Sequence, residues 1–276
     1  MIHDIHPKIY HVGYRKCEPL ADDTIILFDG ERVCCRLDGS EATLPVFDEF
    51  PDVSNHDFNY LFAVDEERYF MPDFCSQNPI PLPCGYDWHD YSIFRTVGPR
   101  YLAFSVITAQ QLYQWRKDRM FCGRCGADAL FSDTERACVC ARCGLIEYPK
   151  ISPCVIVAVT HGEYLLLTRY KDRPYRRYAL IAGFAEIGES LEDVVRREVF
   201  EETGIHVKNI KYYKSQPWGF TSILLAGFFC ELDGDSKVVV DEVELSEAAW
   251  VLRGDIPPAD SDISLTSEMM EMFRTG

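Results

Sequence analysis

The sequence predicts a mixed chain of α+β and α/β character, and three observations carry that prediction. Short apolar, β-prone runs separated by Gly, Pro and Asp extend from the start to about Ala103. Two Cys-x-x-Cys pairs follow, and beyond them strand-like runs lead into a glutamate-rich segment with helical periodicity. The expected division is a β-rich N-terminal domain over 1–107, a linker helix and four-cysteine unit over 108–148, and an α/β domain over 149–276.

Composition narrows the class. With 276 residues, 47% hydrophobic and 26% charged, the chain suits a globular protein of two or three core-bearing units. Met1-Ile-His-Asp-Ile-His-Pro7 lacks a basic stretch followed by an apolar run, and no segment approaches the roughly 18 apolar residues of a membrane helix. A cytoplasmic protein with no membrane partner is expected. The net charge of −16 disfavours broad adhesion to nucleic acid, and it requires cations at any site that takes an anionic substrate.

In the N-terminal region Asp23–Phe28, Arg32–Arg36 and Asn59–Val64 read as strands, and its histidines have no metal-ligand spacing. A run without Gly or Pro from Thr108 to Met120 predicts a helix. Next come Cys122-x-x-Cys125 and Cys140-x-x-Cys143, with fourteen residues between the inner cysteines. This is zinc-ribbon spacing: each pair turns two thiolates toward one tetrahedral Zn²⁺, and four thiolates leave no open position, so the ion is structural. Cys138 competes as a ligand because it lies beside Cys140. The basic residues Arg116, Lys117, Arg119, Arg124, Arg136, Arg142 and Lys150 around these cysteines allow a nucleic-acid contact, although neighbouring acids dilute them.

After Tyr148–Pro153 the strands Cys154–Thr160, Glu163–Arg169 and Tyr178–Gly183 are expected, with five basic residues between 169 and 177 that suit phosphate or RNA. Gly183 and Gly188 bracket a turn, Ser190 with Asp193 caps a helix, and Gly204 stops it, so the helix runs from about Leu191 to Thr203. Leu191, Val194, Val195 and Val199 form its buried stripe. Glu198 neighbours Glu201 and Glu202 at helical spacing, placing three carboxylates on one side. Their repulsion is relieved either by solvent or by a divalent cation, and hard oxygen ligands select Mg²⁺ or Mn²⁺.

Gly183, five residues, Glu189, seven residues and then Arg197-Glu-Val-Phe-Glu-Glu-Thr-Gly-Ile205 resemble the Nudix box. The resemblance implies an α/β/α sandwich that cuts the pyrophosphate of a nucleoside diphosphate derivative, with Glu198, Glu201 and Glu202 as metal ligands and Arg197 and Glu189 as braces. Ser215-Gln-Pro-Trp218 resembles the motif of the zinc-ribbon-bearing NADH pyrophosphatases, whose architecture also matches. That resemblance implies a homodimer that hydrolyses NAD(H) to nicotinamide mononucleotide and AMP, and by extension removes NAD caps from RNA.

It further implies a fourth metal-associated glutamate at Glu244, with Glu242 and Glu247 as alternatives. Phe184 and Trp218, the latter across a dimer interface, would offer ring faces to a base or nicotinamide, and Gln216 would hydrogen-bond it. Tyr148, Ala182, Pro217, Phe220 and Thr266 complete the implied substrate contacts. The chain departs from the motif at Gly219, Thr221, Ser222 and Ile223, where prolines and a hydroxyl are missing, and Gly219 predicts a looser loop. Other substrates in view are ADP-ribose, a dinucleoside polyphosphate or a nucleotide sugar; the contrasting class is a zinc-ribbon regulator that only binds nucleotide or nucleic acid.

Overall fold

The computed structural model describes residues 1–50, 53, 58–72, 80–171, 178–240, 245–259 and 261–276. They form two compact units, one of Ile2–Lys150 with Gly219–Thr221, the other of Met1, Ile151–Trp218 and Ser222–Gly276. Among the described residues no helix is long and apolar enough to cross a membrane, which leaves β-barrels unaddressed.

The first unit opens with β1 (Tyr10–His11), β2 (Thr24–Ile25), β3 (Phe28–Asp29), β4 (Arg32–Asp38), β5 (Glu41–Thr43), β6 (Phe58–Val64), β7 (Glu67–Pro72) and β8 (Asp87–Asp90). One sheet has the order β1-β6-β7-β2; the other joins β3, β4 and β5, with β8 on β4. Ile25, Leu27, Cys34, Phe58 and Phe70 are part of one core between them. Helix α1 spans Arg100–Asp118, eight residues earlier at its start than the sequence predicts, so the expected boundary at 107/108 falls inside it. The reason is burial: Leu102 to Ile107 are buried almost without interruption, so the sequence there shows no polar face to reveal a helical period. The ribbon follows as β9 (Ala129–Phe131), β10 (Cys138–Cys140) and β11 (Ile146–Glu147), in the order β11-β10-β9.

The second unit contains β12 (Ser152–His161), β13 (Tyr164–Tyr170), β14 (Ile181–Phe184), helix α2 (Leu191–Thr203), β15 (Val207–Trp218), β16 (Ile223–Leu232), β17 (Leu245–Leu252) and helix α3 (Leu265–Thr275). The sheet order is β15-β16-β12-β13-β17, and β14 pairs with β12. The long strand β15 stays continuous across two register shifts; Asn209 at the first has φ +52°.

Alternation along the central strand β12 explains its unbroken apolar run. Val155, Val157 and Val159 pack with Val194, Val195 and Val199 of α2, while Cys154, Ile156 and Ala158 pack with Leu265, Met269 and Phe273 of α3. The sheet is thus buried on both faces, giving the α/β/α sandwich. Burying each of the three α2 valines is worth about 1.5–3 kcal/mol. On the other face α3 lies so close to β16 that a Cβ on Gly227 would come within 2.7 Å of Met269 Sδ.

Candidate active site

Helix α2 is fixed at both ends by local chemistry. Asp193 N–H donates to Ser190 Oγ at 3.2 Å, and Gly204 closes the helix at φ +68° with its N–H on the Phe200 carbonyl at 2.8 Å. Because the valine stripe is pinned to the sheet, the helical phase of the glutamates is set. The Glu202 side chain turns inward, with both carboxylate oxygens buried, and the Glu198 side chain is 14% exposed. Glu201 turns outward, 57% exposed. The sequence suggests three heads on one side; helical geometry instead divides them into an inner pair and an outer member.

Arg197 organises the rim. Its Nε and Nη2 donate to the two oxygens of Glu189, both at 2.7 Å, and Nη2 also reaches the Phe184 carbonyl at 2.9 Å. Its Nη1 donates to Glu198 at 2.7 Å and Glu201 at 3.1 Å. This guanidinium, followed by the Glu186 N–H, holds the Glu189 carboxyl down to about 2, so it is ionised at neutral pH.

Gly183 lies in β14, as the expected strand Tyr178–Gly183 has it, and its lack of a side chain has a spatial purpose. A Cβ there would overlap the carboxylate carbon and both oxygens of Glu198. Cys154, paired with Phe184 across the sheet, has its thiol pushed up to about 12, first by burial and then by Glu198 and Glu202. That thiol stays neutral, leaving hard carboxylate oxygens as the donors, and a divalent cation such as Mg²⁺ or Mn²⁺ fits this set. Among the described residues, only the four ribbon cysteines place three or more possible ligand atoms within 4.8 Å of one another. The glutamates are less tightly gathered because Arg197 draws Glu198 and Glu201 toward itself.

Glu244 and Glu242 lie outside the described residues, as do 172–177 of the basic segment. Glu247, the other alternative, accepts from Arg169 Nη1 at 2.8 Å. That guanidinium also stands 4.2 Å over the ring of Tyr178.

The implied substrate residues are distributed unevenly. Phe184 is 52% exposed, Pro217 is exposed, and Ala182, Trp218 and Thr266 are partly buried. Phe184 and Trp218 are separated by three strand steps, β14 to β12 to β16 to β15, or about 14 Å at 4.7–4.9 Å per step. One chain therefore does not bring them together as two sides of a single ring clamp. Gln216 is fully buried and does not face a ligand; its amide bonds the backbone of Ile263 and Leu265 at 2.7 Å each.

Phe220 and Tyr148 lie in the first unit. Phe220 is buried there, with Tyr91 donating to its carbonyl at 3.2 Å and Arg95 standing 3.9 Å over its ring, so its faces are covered. Tyr148 is exposed and donates to Glu135 at 3.2 Å. The expectation of a loose loop is also overturned, because Gly219 is a close-packing position. A Cβ on it would stand 2.7 Å from Ile107 Cγ2 and 2.9 Å from the Ile107 carbonyl oxygen.

In the ribbon, Cys122, Cys125, Cys140 and Cys143 gather as the spacing predicts, and Cys138 stays outside the group. Each pair ends in a glycine of positive φ, Gly126 (+72°) and Gly144 (+69°), whose N–H bonds the first cysteine's carbonyl. Cys143 N–H donates to Cys140 Sγ at 3.4 Å, a bond that favours the thiolate form a zinc ligand needs. Several of the neighbouring basic residues have structural work. Arg116 is buried against Phe131, and Arg136 bonds the carbonyls of Val12 and Leu61.

A sheet buried on both faces, with a glutamate helix seated on a strand glycine, defines a Nudix-type domain in a chain that also carries a four-thiolate ribbon. Comparison with known proteins agrees: the NUDIX domain matches residues 149–271 and the NADH pyrophosphatase zinc ribbon domain matches 120–148. The NAD-capped RNA hydrolase NudC of Pseudomonas fluorescens is 34% identical over 221 residues, covering 80% of this chain and 78% of that protein. The protein of the same name from Photobacterium profundum is 42% identical over 149 residues, or 54% of this chain and 56% of its own length. That alignment thus spans little more than half of the relative. A Nudix hydrolase structure from Nitrosomonas europaea aligns at TM-score 0.46 and 21% identity, covering 56% of this chain and 90% of that one. The chain belongs to the NudC family of Nudix hydrolases.

Proposed function

We propose that this chain hydrolyses the pyrophosphate bond of NAD(H) to nicotinamide mononucleotide and AMP, and removes NAD caps from RNA 5′ ends. The observation that carries the reading is the Glu198 carboxylate seated over Gly183 beside the inward-facing Glu202. The ribbon and the names of the relatives support a nicotinamide dinucleotide as substrate. Glu198, Glu201, Glu202 and Glu244 are the proposed ligands of Mg²⁺ or Mn²⁺, and the four ribbon cysteines those of Zn²⁺. When bound, the divalent cation supplies charge neutralisation at the phosphates and an acidified water.

The chain's own residues prepare that chemistry. Glu189 anchors Arg197, and Arg197 in turn holds Glu198, Glu201 and the Phe184 carbonyl, so one guanidinium sets where two of the proposed ligand carboxylates lie until a cation draws them inward. Phe184 presents an exposed ring face at the edge of the site. Its separation from Trp218 within one chain supports a homodimer in which rings from two protomers close on one planar group. A cytoplasmic location goes with these substrates.

The test is product analysis after incubation with Mg²⁺ or Mn²⁺ and NADH, NAD⁺, ADP-ribose or NAD-capped RNA. Nicotinamide mononucleotide with AMP, and 5′-monophosphate RNA from the capped transcript, are expected. Turnover of ADP-ribose alone would replace this reading with another Nudix activity, and tight binding without turnover would point to a regulator.

A further inference from the structure

Gln216 is 0% exposed, and its amide is matched at both ends to main-chain groups of another element. Nε2 donates to the Ile263 carbonyl and Oε1 accepts from Leu265 N–H, each at 2.7 Å. Leu265 is the first residue of α3, and its N–H is one of the helix donors that lacks an intrahelical partner. A strand side chain therefore caps this helix, beside the local cap in which Ser264 Oγ accepts from Ser267 N–H at 3.2 Å. Neighbouring positions of β15 grip the same helix: Tyr213 and Lys214 donate to Glu268 at 2.8 and 2.6 Å.

Trp218 lies two residues beyond Gln216 on β15, hence on the same face of the sheet, and packs on the cluster that contains Leu265 and Met269. Thr266 is in the first turn of the helix that Gln216 caps. We propose that Gln216 is a positioning residue: its amide locks the start of α3 to β15 and so sets the spacing between Trp218 and Thr266, two of the substrate contacts that the family resemblance implies. This rests on the functional reading above.

Only a side chain with a donor and an acceptor two bonds apart meets both main-chain groups. Gln216→Glu sets an anionic oxygen against the Ile263 carbonyl, whereas Gln216→Met keeps the volume and leaves both groups without the amide. The Glu198 and Glu202 carboxylates belong to the helix on the opposite face of the sheet, so the chemical step is spared.

The experiment compares wild type, Gln216→Met and Gln216→Glu by steady-state kinetics with NADH and Mg²⁺, alongside amide hydrogen exchange of the full chain. The expected result is a KM raised about tenfold or more with kcat within about twofold, and faster exchange over Ser264–Met269. Faster exchange with an unchanged KM would reduce Gln216 to a purely structural role and overturn the proposal, as would unchanged exchange or a kcat that falls with KM unaltered. Failure of the functional reading shows separately, as wild type that does not hydrolyse NADH. The comparison then passes to whichever nucleoside diphosphate derivative the wild type does hydrolyse, and a chain that hydrolyses none sinks both.

Discussion

The Glu198 carboxylate fills the space over Gly183 that a side chain at that strand position would need. Glycine is therefore required by close approach, in ordinary extended backbone, and the pair joins β14 to α2 at the point where metal ligands are proposed. Gly183→Ala should force Glu198 out of place, lowering metal-dependent kcat by about a hundredfold or more, since small misplacements of catalytic groups carry such penalties. The overpacking should also cost about 1–3 kcal/mol of stability, read from denaturant unfolding. Full activity in this variant would show that Glu198 does not need its present seat.

The Glu189–Arg197 pair predicts a pH dependence with a definite sign. The folded-state pKa of Glu189 is lowered from 4.5 to about 2, so the pair's stabilisation is complete above the unfolded value and is lost as pH falls through that window. The stability gap between wild type and Glu189→Gln should be constant near neutrality and narrow between pH 4.5 and 2. A gap that widens on acidification would contradict the pairing.

Gly219 and Ile107 should behave as a size-matched pair. Gly219→Ala should destabilise by about 1–3 kcal/mol through overpacking. Combining it with Ile107→Ala should recover part of that loss, giving a coupling of about 0.5–3 kcal/mol in a double-mutant cycle of unfolding free energies. Simple additivity would mean that the Ile107 side chain does not limit the space at Gly219 and that the backbone contact alone does.

Zinc removal should act on the ribbon without directly touching the chemistry. Cys140→Ser, or a strong chelator, should speed amide exchange across Ala129–Glu147 while α2 and β12 keep their protection. Equal loss of protection throughout the chain would show that the ribbon is not a separately stabilised element.

Much of this arrangement is visible in the residues themselves. The caps at Ser190 and Gly204 and the valine stripe define α2 to the residue, and the cysteine spacing defines the ribbon, because both signals are local. What escapes the sequence depends on distant neighbours. Helix α1 is buried on so many sides that its first turns lose their periodic contrast, and the purposes of Gly183 and Gly219 depend on side chains fifteen or more residues away. Gln216 reads as a base-contacting amide until α3 is seen to occupy both of its polar ends. The side chains of Glu198, Glu201 and Glu202 divide between inside and outside because the sheet fixes the phase of the helix, which spacing alone leaves open.

The most direct test of the central claim is Mg²⁺- or Mn²⁺-dependent hydrolysis of NADH by wild type and Glu202→Gln, with circular dichroism as a check on folding. The substitution keeps the shape of the side chain and removes its charge. Wild type should release nicotinamide mononucleotide and AMP, and the folded variant should lose turnover by about a hundredfold or more at saturating metal. A folded Glu202→Gln chain that retains near wild-type, metal-dependent turnover would contradict the assignment of this helix as the catalytic metal site.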